Sequence, residues 1–173
     1  VATQNPIEQQ GVYPLPEAQL DRFLFKHLMD YPSEEEERRI VTHHGARFGA
    51  PRPEEWNVET VLAGEQVTAA VAAVAAVPMV AEVVDYVVRL VRATRAAPDL
   101  EGGASPRAAA MLAGAARARA ALEGRDYVIP DDVKALAPAV LRHRVLLSPA
   151  AEIEGRPVDT VIARLVDAVE APR

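Results

Sequence analysis

The chain has 173 residues, no cysteine and a formal net charge of −6. The acidic balance disfavours a nucleic-acid partner, because phosphate binding needs clustered lysine and arginine, and the lack of cysteine excludes disulfides and thiolate metal sites. The longest nearly apolar run, residues 68–81, contains Pro78 and is shorter than the roughly 20 residues of a membrane span. We therefore expect a protein with no membrane span and, by default, a cytoplasmic location.

Residues 1–32 are predicted to be the end of an α/β domain. Val1–Thr3 would finish a strand whose beginning is absent, and a short helical segment would lead into a second strand over Phe23–Leu28. Two such strands cannot bury a sheet by themselves. Because the chain also opens on valine without a signal peptide, we expect a truncated protein with a missing partner for this segment.

From residue 33 the pattern becomes helical, and residues 33–173 are predicted to form one helical bundle. Alanine and valine dominate the apolar residues while aromatics are only 5%, which favours closely packed helices. Ser33 and Glu36 are spaced as a capping box. Helices are predicted over residues 33–44, part of 58–77, 80–95, 105–123, 130–136 with a further short turn up to 143, and 158–169. In the 80–95 helix the apolar stripe is Val80, Val83, Val84, Val87, Leu90 and Val91.

Arg107 is the most informative single residue. Ser105 as the N-cap and Pro106 at the first helical position place this arginine in the first turn, where the positive end of the helix dipole disfavours a cation. An anion there would be bound by both the free backbone N–H groups and the guanidinium, and a phosphate suits the planar fork of arginine. The alternative is an exposed arginine whose stem covers alanines.

Two further segments carry candidate polar groups. A short helical segment presents Arg22 just before the predicted strand, in a position that could stabilise charge on a transferring phosphoryl group, or merely pair with Asp21 at the surface. Asn5 follows a strand end and could orient an attacking water, or hold the turn by bonding its own backbone.

Taken together, these segments resemble the MoxR family of AAA+ ATPases. The strings that carry the resemblance are Ala-Thr-Gln-Asn-Pro-Ile-Glu-Gln at residues 2–9, Tyr-Pro-Leu-Pro-Glu-Ala-Gln-Leu-Asp-Arg-Phe at 13–23, Gly-Ala-Ser-Pro-Arg-Ala at 103–108, Gly-Arg-Asp-Tyr-Val at 124–128, Pro-Asp-Asp-Val at 130–133 and His-Arg at 143–144. They follow the family's order over most of the chain, and residues 43–76 are the least characteristic.

The resemblance implies a mainly α fold, with a helical-bundle AAA+ lid at residues 33–173 preceded by a partial α/β remnant of the core at 1–32. It implies that Asn5 is the sensor 1 residue, Arg22 an arginine finger reaching ATP on the next subunit, and Arg107 the sensor 2 arginine on an ATP phosphate. It also implies a ring, expected to be a hexamer, and client proteins or partners with von Willebrand A-type domains.

No G-x-x-x-x-G-K-[ST] phosphate loop occurs in the chain, and no strand ends in the acidic pair that would hold Mg²⁺. By the resemblance, ATP and Mg²⁺ are bound mainly by a missing upstream part, and this chain alone should not hydrolyse ATP. A metal site built from the histidines is not expected, because adjacent His43 and His44 point in different directions. A non-catalytic helical interaction module is the alternative function.

Overall fold

The computed structural model describes residues 1–4, 15–45, 58–59 and 61–172. Within these ranges the chain is mainly helical, as predicted, and carries one small antiparallel sheet. The elements in chain order are α1 (Glu17–Leu20), α2 (Glu34–His44), α3 (Gly64–Ala76), α4 (Ala81–Ala96), β1 (Leu100–Gly102), α5 (Pro106–Leu122), α6 (Pro130–Leu141), β2 (Leu146–Leu147), α7 (Pro149–Ile153) and α8 (Val158–Ala168).

The chain forms two compact units. One comprises Val1–Lys26 together with Ala72–Arg173, and the other comprises His27–Val71. In the second unit, α2 begins as predicted: the Ser33 hydroxyl accepts a hydrogen bond from the Glu36 amide, and the Glu36 carboxylate accepts one from the Ser33 amide at 2.8 Å. The predicted domain boundary between residues 32 and 33 stays a prediction.

The core of the first unit lies between α4, α5, α6 and α8, with the two-stranded sheet beside α4. Alanines supply much of the buried face of α5, and their small side chains let the neighbouring helices approach closely. The largest fully buried side chains are Tyr86, Leu90, Leu112, Leu141, Ile162, Val91, Val133, Val140, Thr94 and Asp132. No single helix in the described ranges is long and apolar enough to cross a membrane, although the successive helices α3 and α4 together meet the length and composition required.

The loop before α5 is held tightly against the end of α4. The buried Thr94 hydroxyl accepts a hydrogen bond from the Ala104 amide at 2.9 Å, and Arg95 Nε donates to the Ala104 carbonyl at 2.8 Å. A Cβ on Gly103 would lie 2.6 Å from the Cα of Arg95, so only glycine fits there. The start of α5, which includes Arg107, is therefore held by side-chain hydrogen bonds from α4 and by the close approach of Gly103 to Arg95.

A buried ion pair joins the end of α5 to the start of α6. Arg125 donates to both carboxylate oxygens of Asp132, whose side chain is only 1% exposed, and Asp132 also accepts from the Ile129 amide at 3.0 Å. Burial raises the pKa of Asp132, but the Arg125 guanidinium and the Ile129 amide lower it by more. The pKa of this carboxyl consequently lies below its usual value.

Three details differ from the predictions. The strands predicted at residues 1–3 and over residues 23–28 are absent: residues 1–4 have no regular secondary structure, and residues 23–28 form a bend and irregular backbone whose carbonyls accept side-chain hydrogen bonds. Pro138 does not divide α6, which continues through it to Leu141. In the α4 stripe, Val80 and Val84 are 57% and 42% exposed, while Tyr86 and Thr94 are buried instead.

Replacing Asp132 with asparagine removes the charge that balances Arg125. We expect Asp132→Asn to lower the free energy of unfolding by about 3 kcal/mol at pH 7, because a fully buried carboxylate that accepts three hydrogen bonds is replaced by an amide whose –NH2 group would face the Arg125 guanidinium. The matched change Asp131→Asn, at a side chain that is 77% exposed and pairs with Lys134, should cost no more than about 0.5 kcal/mol. Urea titrations followed by circular dichroism measure both values.

The Asp132 contribution also has a predicted pH dependence. Its folded-state pKa is lowered, so its stabilisation is complete above the unfolded pKa of about 3.9 and is lost as the pH falls through the folded pKa. The difference between wild type and Asp132→Asn should therefore shrink in titrations below pH about 4. A difference that stayed constant down to the acid transition would contradict the assigned ion pair.

Replacing two glycines with alanine, one just before α5 and one within it, should change the free energy of unfolding in opposite directions. Gly103→Ala should lower the free energy of unfolding by about 2 kcal/mol, because the added methyl meets backbone atoms of Arg95 that cannot rotate away. Gly114→Ala, where a Cβ meets nothing within 4 Å, should raise it by about 0.5 to 1 kcal/mol. The same urea titrations test the pair, and equal effects would show that the loop before α5 is not tightly packed.

Candidate functional site

The predicted site residues fall in different parts of the structure. Asn5 lies outside the described residues. Arg22 sits in the turn after α1 and is exposed, with no hydrogen bond or ion pair from its guanidinium to any described residue. Arg107 is the second residue of α5, with its side chain 49% exposed. The two arginines belong to the same compact unit, and Asp21 links them.

The carboxylate of Asp21 is the centre of the site. It accepts hydrogen bonds from Arg107 at 3.1 Å, from the Ser105 hydroxyl at 3.1 Å and from Arg144 Nε at 2.9 Å. The start of α5 therefore does meet an anion, as the position of Arg107 suggests, and this anion is a carboxylate of the same chain. Asp21 pairs with these residues rather than with the adjacent Arg22.

Arg144 follows α6 and is the buried member of the cluster, with its side chain only 1% exposed. Its five N–H groups face six acceptors, so the desolvated charge is fully hydrogen-bonded. The acceptors are the Asp21 carboxylate, the backbone carbonyls of Asp21 at 3.0 Å, Leu24 at 3.2 Å, Phe23 and Val140, and the Met111 sulfur at 2.8 Å.

The two preceding residues bind the same segment. His143 Nε2 donates to the Phe23 carbonyl at 2.9 Å, and Arg142 donates to the Lys26 carbonyl at 3.2 Å. The Lys26 amide in turn donates to the Ala139 carbonyl at 2.9 Å. The end of α6 and the residues after it thus bind the backbone at residues 21, 23, 24 and 26, where the sequence had suggested strand pairing.

Burial changes the ionisation of this cluster. It lowers the pKa of His143 below its usual value, so the ring is neutral at pH 7, with its proton on Nε2 facing the carbonyl. It also lowers the pKa of Arg144, which the hydrogen bond to Asp21 opposes. Because an arginine ordinarily titrates above pH 12, the Arg144 guanidinium remains charged at neutral pH.

Two guanidinium groups of the site are open to solvent. Arg22 is exposed on a turn whose backbone is fixed, and Arg107 is half-exposed on a single ion pair with Asp21. Guanidinium groups bind phosphate oxygens in a planar, bidentate manner. Sequence reasoning missed Arg144 and Asp21, although the pair His143–Arg144 was visible as a motif; nothing in the sequence alone indicated that it is buried against residues 21–24.

Within the described ranges, no three histidine, aspartate or glutamate side chains lie together as a metal site would require. His43 and His44 end α2, and His143 uses Nε2 on the Phe23 carbonyl.

Two family models match the chain. The AAA lid domain matches residues 92–165, and the ATPase family associated with various cellular activities (AAA) matches residues 1–25. The lid match includes Arg107 and Arg144, and the AAA match includes Arg22 and Asp21.

Several curated proteins are similar to this chain over nearly its whole length. Chaperone MoxR1 of Mycobacterium tuberculosis is 43% identical, covering 100% of this chain and 46% of that protein. YeaC of Bacillus subtilis, described as uncharacterised, is 42% identical over 99% of this chain and 52% of its own length. The protein MoxR of Methylorubrum extorquens is 34% identical over 99% of this chain and 54% of its own length.

A solved structure agrees with these relatives. The crystal structure of an inferred ATPase from Cytophaga hutchinsonii superposes with a TM-score of 0.85 at 32% identity, over 98% of this chain and 53% of that one. The chain spans about half the length of the curated relatives that it matches. On these matches, and on the motifs from residue 2 to residue 144, the chain belongs to the MoxR family of AAA+ ATPases.

Proposed function

We propose that the protein containing this chain hydrolyses ATP in a ring, expected to be a hexamer, and uses the energy for chaperone-like remodelling of client proteins. The observation that carries the proposal is the placement of Arg22. It is exposed and without a described partner, on a turn whose neighbouring carbonyls are bound by Arg144. An arginine held in this way is suited to reach a charged group outside its own subunit.

Arg22 is the proposed arginine finger. Its guanidinium would stabilise the negative charge that develops on the phosphoryl group during hydrolysis at the neighbouring subunit's site. Mg²⁺, when bound with ATP, would neutralise further phosphate charge. The role requires assembly, because a finger that acts across an interface leaves an isolated subunit without it.

Arg107 is the proposed sensor 2 residue. Its half-exposed guanidinium and the start of α5 form a cationic end that can donate hydrogen bonds to a phosphate oxygen, and in the structure the guanidinium pairs with the Asp21 carboxylate. An ATP phosphate would compete with the Asp21 carboxylate for Arg107. The nucleotide could thereby bias the position of the helical lid.

The remaining roles rest on resemblance. Asn5 would orient the attacking water as sensor 1, and the domain division would fall between a core remnant at residues 1–32 and a lid at 33–173. ATP and Mg²⁺ would be bound mainly by a region that the relatives have and that this chain does not span. Clients or proteins with von Willebrand A-type domains would be the partners, in the cytoplasm.

Removal of either arginine should abolish turnover in the full-length protein. Arg22→Ala and Arg107→Ala should each reduce kcat for ATP hydrolysis by at least about 100-fold while the circular dichroism spectrum is retained, because each guanidinium would contact phosphate. The control Arg164→Ala, at a side chain 61% exposed, should stay within about twofold of wild type. Phosphate release under saturating ATP gives the rates.

Mixing two kinds of variant subunit tests whether Arg22 acts on the nucleotide site of a neighbouring subunit. Combining Arg22→Ala subunits with subunits inactivated in their phosphate loop should partly restore hydrolysis, since intact fingers would then serve intact nucleotide sites. Unchanged turnover in both arginine variants would refute the assigned roles and favour a non-catalytic helical module.

The 173-residue chain by itself should show no ATP hydrolysis above the buffer rate. It contains no G-x-x-x-x-G-K-[ST] phosphate loop, and the backbone N–H groups of that loop are what hold the phosphates in this class of enzyme. Phosphate release over several hours, with the full-length protein as a positive control, checks this. Turnover by the purified chain would show that our placement of the nucleotide site is wrong.

A further inference from the structure

We propose that Arg144 is the positioning residue for Arg22, and this inference rests on the proposed function of Arg22 as the finger. Arg144 is not expected to touch nucleotide, because its side chain is 1% exposed. It lies instead behind the turn that carries Arg22 and acts through the backbone. The positions of the exposed arginines Arg22 and Arg107 would not by themselves indicate this role of Arg144.

The contacts of Arg144 lie on both sides of Arg22. Before it, Arg144 binds the carbonyl and the carboxylate of Asp21; after it, Arg144 binds the carbonyls of Phe23 and Leu24. The Arg22 side chain is left free of these bonds. One buried cation thus fixes the backbone from which the exposed guanidinium projects.

Local hydrogen bonds alone would hold this turn weakly. The Arg22 amide donates to the Gln19 carbonyl at 3.1 Å and the Phe23 amide to the Leu20 carbonyl at 3.0 Å, but α1 has only four residues and none of them is buried. Isolated helices of this length are unstable in water. The orientation of Arg22 must therefore come from the tertiary contacts that the lid supplies.

The geometry needs an arginine rather than any cation. The planar guanidinium directs five N–H groups outward in fixed directions, so that it reaches several separate carbonyls at once. A lysine ammonium has three donors on a single atom and would keep the charge opposite Asp21 while losing most of the carbonyl contacts. The Arg144→Lys variant therefore keeps the positive charge while removing the contacts that would position the Arg22 turn.

The test uses the full-length protein with two variants. Arg144→Lys should lower kcat by about 10- to 100-fold with the KM for ATP changed less than about threefold, since a small misplacement of a catalytic group has effects of this size. The matched control Arg156→Lys, at an arginine paired with Asp99 and Glu154, should stay within about twofold.

Two readouts separate positioning from general stability. If Arg144 acts through Arg22, then Arg144→Lys in an Arg22→Ala background should cause no further loss of kcat. Mixed rings of Arg144→Lys subunits and phosphate-loop-dead subunits should also regain activity, as with Arg22→Ala. Additive losses, or no recovery on mixing, would overturn the proposal.

Amide hydrogen exchange on the 173-residue chain tests the positioning role without relying on ATP hydrolysis. In wild type the amides of Arg22 and Phe23 should exchange at least about tenfold slower than in an unstructured chain, and Arg144→Lys should remove this protection while α4 is unaffected. Exchange at the unstructured rate in wild type would overturn the proposal even if the variant failed to fold.

The failures are distinguishable. If Arg22→Ala abolishes hydrolysis while Arg144→Lys does not, the finger assignment stands and the positioning role fails. If Arg22→Ala leaves hydrolysis unchanged, the proposed function itself fails, whatever the exchange data show about the turn.

Discussion

The ion pair between Asp21 and Arg144 determines where residues 21–24 lie. A guanidinium this deeply buried is stable only because each of its N–H groups has an acceptor, and most of those acceptors belong to residues 21–24. The lid therefore supplies the structure that the short helix α1 could not maintain alone. Through the same carboxylate, the start of α5 is connected to the turn that carries Arg22.

This arrangement links the two arginines that the family resemblance singles out. Arg107 and Arg144 share one carboxylate, and Arg22 is its sequence neighbour. Any anion that drew Arg107 away from Asp21 would alter a group directly attached to the Arg22 turn. The proposed sensing role of Arg107 and the proposed finger role of Arg22 would then be connected within one subunit, through the carboxylate of Asp21 and its peptide bond to Arg22.

Much of the helical unit was predictable from local pattern. Ser105–Pro106 marked the start of α5, and Gly124, with a φ of +72°, marked its end. Long-range pairings were not predictable: the run over residues 23–28 has β propensity but meets the side chains of residues 142–144 instead of a strand. Likewise, Pro138 permitted a continuous α6, because tertiary packing outweighs the lost hydrogen bond.

The turn at residues 20–23 points consecutive side chains in different directions: Asp21 faces the buried Arg144, and Arg22 is exposed. Successive positions in a helical turn differ by about 100° in direction. Deletion of a single residue just before Asp21 would place the Arg22 cation against Arg144, and insertion of one there would move the Asp21 carboxylate to the exposed position. Lineages that carry this segment should therefore keep its length unchanged.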